Sequence, residues 1–261
     1  MSAILLDRGI VHYEVIGRGR PIIFVHGWVG SWRYWISALQ AAATSYRAYA
    51  LDLWGFGETA REPERYGLDK QIELLDRFLN EMGIGRVALV GHGLGGVVSL
   101  LYASRFPNIV DRVMGISCPL EFGSLNPRLR SAPPAELAEW LLARTPDADA
   151  ARTDAAKTDP RALAASFDNP DSFSLGSRFY MGKTPVLLVY GQTDPAVSVP
   201  QFDPLLVPEM LHSIYLEGSG HFPMLDEPQR FNRLLTDWLA LESGESPRDL
   251  QLKEEWRRRV R

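Results

Sequence analysis

Apolar residues along this chain fall into two kinds of segment. The first kind is short and nearly continuous: Pro21-Ile22-Ile23-Phe24-Val25, Arg86-Val87-Ala88-Leu89-Val90, residues 110–117 and Thr184-Pro185-Val186-Leu187-Leu188-Val189-Tyr190. Runs without polar alternation predict strands buried on both faces, as in a parallel sheet covered by helices. Residues 3–7 and 10–15, joined through Gly9, predict a hairpin, and residues 46–51 and 212–216 complete the strands. The second kind is longer. Helices are predicted over 32–43 with Ser31 as N-cap, over 68–82 ended by Gly83, from a glycine-rich turn through Ser104, and over 228–241. Strands alternating with helices predict an α/β fold: a mostly parallel, eight-stranded sheet with helices on both faces.

Residues 119–182 break the alternation. They are rich in Pro, Ala and Asp, hold helical fragments such as 134–143, and contain no strand pattern. They predict an inserted helical cap over the strand ends, with a mobile middle near 145–158. The core is then 1–118 and 183–242, followed by a charged tail, 243–261. In that tail Glu242, Glu245, Asp249, Glu254 and Glu255 offset the basic run Trp256-Arg257-Arg258-Arg259-Val260-Arg261. A solvated helix is the reading, with partner docking as the alternative.

Composition narrows the class. With 261 residues and 46% hydrophobic content the chain can bury one sizeable core. A net charge of −4 offers no basic surface for nucleic acid or an anionic membrane. Cys118 is the single cysteine, which excludes an internal disulfide and fits a reducing compartment. Asp7 and Arg8 cut the apolar start, and no apolar run approaches the roughly 20 residues of a membrane helix. The expectation is a cytoplasmic protein with a small-molecule ligand or substrate, no nucleic-acid or membrane partner, and no metal or cofactor. Gly91, Gly93 and Gly96 leave only a weak match to a dinucleotide-binding turn.

Three motifs carry candidate chemistry. Phe24-Val25-His26-Gly27-Trp28 ends an early strand, and Leu89-Val90-Gly91-His92-Gly93-Leu94-Gly95-Gly96 forms a strand–turn–helix junction. A late pair follows: Gly191-Gln192-Thr193-Asp194-Pro195 and Gly218-Ser219-Gly220-His221-Phe222-Pro223. With the loop Asp52-Leu53-Trp54-Gly55-Phe56-Gly57-Glu58, they make residues 3–241 resemble the α/β-hydrolase family.

The resemblance implies a nucleophile on the sharp turn at position 93, with the small neighbours Gly91 and Gly95 making the turn possible. It implies His221 as general base, Asp194 as its orienting acid, and an oxyanion hole from the Leu94 and Trp28 backbone N–H groups. His26, His92, Cys118, Phe122 and Phe222 are candidate pocket residues. His26 and His92 are also read as bracing their loops, and Cys118 as a small buried thiol. Gly93 departs from the pattern, because glycine offers no nucleophile and no acyl-enzyme can form on it. The expectation is a protein acting on, or binding, a small, largely apolar ester or carbonyl compound, with an impaired serine mechanism and a retained dyad. A non-catalytic ligand binder and a nucleophile-knockout form of an ordinary serine hydrolase are the alternatives. A serine restored at 93 is expected to fall within reach of His221.

Overall fold

The computed structural model describes residues 2–176, 182–203 and 207–250. Eight strands form one sheet: β1 (Ser2–Leu6), β2 (Gly9–Gly17), β3 (Arg20–Val25), β4 (Tyr46–Leu51), β5 (Val87–His92), β6 (Val110–Ile116), β7 (Val186–Gly191) and β8 (Leu211–Leu216). Their spatial order is 1-2-4-3-5-6-7-8. The edge hairpin β1–β2 is antiparallel and β2 joins β4 antiparallel. All remaining pairs are parallel.

Burial follows the apolar pattern. All six residues of β5 and of β7 are buried. Successive strand side chains point to opposite faces, so a fully buried strand requires cover on both sides. Helices supply it: α1 (Ile36–Ala42), α2 (Leu68–Glu81) and α3 (Leu94–Arg105), then the closing helices α8 (Pro223–Asp226) and α9 (Pro228–Leu239). Strand β1 instead alternates between half-exposed and exposed positions, as an edge strand does.

Two sequence expectations are corrected here. Residues 32–43 do not form one helix. Trp32–Trp35 is a tighter 3-10 turn, and the α-helix begins at Ile36. The first amides of the turn are capped by side chains outside it. Asp52 Oδ1 accepts from the Trp32 N–H at 2.8 Å, and Ser31 Oγ accepts from the Arg33 N–H at 3.2 Å.

The second correction concerns the insertion between β6 and β7. It holds α4 (Arg128–Ser131), α5 (Pro134–Leu141), α6 (Pro146–Ala155) and α7 (Pro160–Ala165). Three of them begin at proline, whose fixed φ suits the first helical position. The stretch read as mobile, 145–158, contains α6. Its alanines Ala148, Ala151 and Ala155 are fully buried on one helical face, where small side chains permit close packing. Asp154, 2% exposed, accepts from Ser31 Oγ, from Arg33 Nε at 3.1 Å and from Lys157 Nζ at 2.9 Å.

That buried carboxylate fastens the insertion to the core. Asp154→Ala leaves the Ser31 hydroxyl proton without its acceptor in the interior, while Arg33 and Lys157, each about one-third exposed, recover water. The expected loss is about 1–3 kcal/mol in urea unfolding, with faster limited proteolysis within 119–176. An unchanged midpoint and unchanged proteolysis would contradict the anchoring role.

Beyond the last helix, Ser246 Oγ donates to the Glu209 carbonyl at 2.7 Å and Arg248 Nε to that of Leu211 at 3.2 Å. The start of the charged tail is therefore tied to the end of the sheet. The rest of the tail, 251–261, with its Trp256–Arg261 run, lies outside the described residues. Among the described residues no helix is long and apolar enough to cross a membrane.

Candidate active site

Strand β5 passes into α3 through Gly93, at φ +49° and ψ −112°. Positive φ strains a residue that carries a Cβ and costs glycine nothing. The turn is clamped by backbone bonds: the Gly93 N–H donates to the Ile116 carbonyl at 2.9 Å, and its carbonyl accepts from the Val97 N–H at 3.1 Å. Its neighbours leave no room for side chains. A Cβ on Gly91 would lie 2.2 Å from the Gly95 carbonyl oxygen, and one on Gly95 would lie 2.2 Å from that of Val25. The helix thus starts hard against the end of β3. Leu94 is its first residue, so its N–H lies outside the intrahelical ladder and carries the positive end of the helix dipole.

Asp194 and His221 follow β7 and β8. His221 Nδ1 and Asp194 Oδ2 are 2.9 Å apart, and His221 is 1% exposed. The other carboxylate oxygen, Oδ1, accepts from the Ala196 and Val197 N–H groups at 2.7 and 3.2 Å. Burial alone would raise the pKa of Asp194. The charge and hydrogen bond of His221, with the two amides, outweigh burial and hold its pKa below the usual carboxylate range. The carboxylate therefore stays ionised and fixes the imidazole through Nδ1. Close by, Asp226 Oδ2 accepts from the Gly220 N–H at 2.8 Å and braces the loop that carries His221.

His92 connects this loop to the elbow. Its ring centroid is 4.7 Å from that of His221, and its Nε2 lies 2.8 Å from the His221 carbonyl. Its Nδ1 is 3.0 Å from Tyr34 Oη, which also accepts from the Gly27 N–H. The network assigns one tautomer: Nε2–H donates to the carbonyl and Nδ1 accepts from the tyrosine hydroxyl. Burial first, and the neighbouring His221 second, push the His92 pKa well below the usual histidine value. His92 is thus a neutral spacer. Tyr34 carries no sequence signal; it sits inside the 32–35 turn, and only the fold brings it to His92.

The remaining candidates divide. His26 is fully buried, with Nδ1 2.8 Å from the Gly27 carbonyl and Nε2 accepting from the Leu53 N–H at 3.0 Å, so it braces two loops. Phe222 is buried against His92, with centroids 4.6 Å apart. Cys118 lies against the first turn of α3, its Sγ 2.9 Å from where a Gly96 Cβ would be, and burial pushes its thiol pKa up. It is a packed thiol rather than a thiolate. Phe122 lies in the insertion, edge-on to Phe173 at 5.5 Å, apart from the elbow.

Trp28 is fully buried beside Gly93. Its Cε3 and Cζ3 lie 3.0 and 3.1 Å from the place a Gly93 Cβ would occupy. The Trp28 indole N–H donates to Ser166 Oγ at 2.9 Å, and the ring stacks on Phe167 at 5.3 Å and 19°. Both partners belong to the insertion, and neither was marked by a motif. Among the described residues no cluster of three or more His, Cys, Asp or Glu could hold a metal ion.

A family model described as the alpha/beta hydrolase family matches residues 22–234, most of the chain. The chain belongs to that family.

Hydrolases stand among the relatives of this alpha/beta hydrolase family member. It is 27% identical to a 2-hydroxy-6-oxo-2,4-heptadienoate hydrolase of Pseudomonas putida, covering 87% of this chain and 91% of that one. It is 27% identical to the dihydrolipoyllysine-residue acetyltransferase component of an acetoin cleaving system of Pseudomonas putida, over 79% of this chain and 62% of that protein. Human epoxide hydrolase 4 is 35% identical over 43% of this chain and 33% of its own length. The chain therefore spans less than two thirds of two of these relatives.

Solved structures share the fold. A meta-cleavage product hydrolase from Pseudomonas fluorescens superposes with a TM-score of 0.75 at 20% identity, covering 91% of this chain and 96% of that one. A serine-to-glycine mutant of an N-acyl homoserine lactonase, complexed with N-hexanoyl homoserine lactone, gives 0.73 at 20% identity, with 91% and 96% coverage.

Proposed function

We propose that this family member takes a small, largely apolar ester or carbonyl compound, and that its His221–Asp194 dyad works without a nucleophile at position 93. What supports this reading is the elbow: Gly93 lies on the strand-to-helix turn at positive φ, with the Trp28 ring 3.0 Å from where a Cβ would be, at the position to which the sequence resemblance assigns the nucleophile. The substrate class is taken from the heptadienoate hydrolase relative and from the apolar residues Trp28, Leu94 and Phe222 around the dyad.

The chemistry left to such a site is general-base chemistry. His221 Nε2 takes a proton from water, and the resulting hydroxide attacks the carbonyl carbon. The Leu94 and Trp28 N–H groups hold the oxyanion that forms. As the oxyanion collapses, the bond to the leaving oxygen breaks and that oxygen takes the proton back from the imidazolium. No covalent intermediate with the protein occurs. A purely binding role is the second reading.

A serine-directed fluorophosphonate is expected to give no mass increase on the intact protein. Gly93 has no hydroxyl, and Ser99 in α3 already donates to the Gly95 carbonyl at 2.7 Å. A stoichiometric adduct would overturn the proposal. In a screen of small esters, turnover lost in His221→Ala supports the base role. Ligand binding with no turnover selects the second reading.

A further inference from the structure

The indole of Trp28 is held from two sides. At the elbow its six-membered ring touches the site of the missing Gly93 Cβ, at 3.0 and 3.1 Å, closer than the ordinary contact range for such an atom. On the other side its N–H is bonded to Ser166 and its face is stacked on Phe167. Phe167 stacks in turn on Phe173 at 6.2 Å and 16°, so the ring ends a column of aromatics running through the insertion. The indole is fully buried and held on both sides, so the few tenths of an ångström that a Cβ at position 93 demands must be taken from its contacts with Ser166 and Phe167.

We propose that Trp28 and Gly93 are a matched pair in which the indole takes the nucleophile's space, making Trp28 the residue that decides which chemistry this site admits. This rests on the reading of Gly93 given under Proposed function. It revises the sequence expectation for Gly93→Ser. A serine there must accept φ +49° and also displace a ring that Ser166 and Phe167 hold in place. The single substitution leaves the site silent, whereas removing the ring and adding the hydroxyl together creates a serine nucleophile. The volume released is flat and stacked on Phe167, so it suits an aryl group. The backbone N–H of residue 28 is kept in any such variant.

The test compares the parent, Gly93→Ser, Trp28→Ala and the double variant, each confirmed folded by circular dichroism. Trp28→Leu with Gly93→Ser serves as a second double variant that keeps more of the apolar filling. The readouts are p-nitrophenyl acetate hydrolysis and fluorophosphonate labelling. In labelling, the serine oxygen bonds to phosphorus, fluoride leaves, and the serine proton passes to His221. A folded double variant should be labelled and hydrolyse the ester at least about 100-fold faster than either single variant. Both effects should vanish when His221→Ala is added, and free indole should inhibit by refilling the space. Gly93→Ser alone matching a double variant would overturn the pairing, as would folded double variants no faster than the parent. Labelling of the parent would instead overturn the reading of Gly93 on which the pairing rests.

Discussion

Gly95→Ala should be among the most damaging single-methyl additions this protein can receive, costing roughly 4 kcal/mol or more in urea unfolding. The new Cβ would stand 2.2 Å from the Val25 carbonyl oxygen and 2.5 Å from that of His26. Both obstacles are backbone, and Val25 ends a strand paired on both sides with β4 and β5. Neither can step aside by changing rotamer. Relief requires α3 to lift away from β3, which loosens the burial of Leu94, Val97 and Val98. A loss of this size is a large part of the 5–15 kcal/mol that holds a typical domain together. Gly85→Ala is the control, since a Cβ there meets nothing within 4 Å. Equal urea midpoints for the two variants would refute the close approach.

Acid should weaken the fold through its buried histidines before Asp194 titrates. His92 and His26 are both buried in their neutral forms, and burial holds both pKa values below the unfolded value of 6.5. His212 is shifted the same way by burial, with Arg248 adding to it. Below pH 6.5 the unfolded chain takes up protons that these folded histidines refuse, so stability falls as pH falls. Each refused proton costs about 1.4 kcal/mol per pH unit over that window.

His12 opposes the trend. Burial lowers its pKa, but Asp52 and Glu14 outweigh burial and raise it, so its contribution grows on protonation. Three histidines against one leave a net loss. The urea midpoint should drop steadily from pH 7 to pH 5, before Asp194 begins to protonate near and below pH 3.8. A midpoint that is flat or rising over that interval would contradict the neutral burial of His92 and His26.

What could be read in the sequence follows from how local each cause is. The elbow was legible because Gly91 and Gly95 mark positions where backbone meets backbone, and Gly93 one of positive φ, all within five residues of chain. Asp194 and His221 were legible through the resemblance of the turns that carry them to the family's late motifs, each following a strand marked by an apolar run. The indole contact was not. It depends on Ser166, 138 residues further on, and a hydrogen bond across that span leaves no spacing to detect. Asp154 was no more legible: its burial makes sense only with Ser31 and Arg33 supplied from the core. The turn at Trp32–Trp35 shows the same limit at short range, since the Asp52 contact to its first amide belongs to the fold and not to the local pattern.

The hydrogen bonds around His92 all point one way. The Gly27 amide gives to Tyr34, Tyr34 gives to His92, and His92 gives to the carbonyl of His221. No member can reverse without leaving an amide or a carbonyl stranded, so the loops after β3, β5 and β8 behave as one keel rather than three hinges. His221 keeps its bearing through this chain of bonds, and on the opposite wall Ser166 and Phe167 grip the indole, so both sides of the elbow are moored to structure far from it in the sequence.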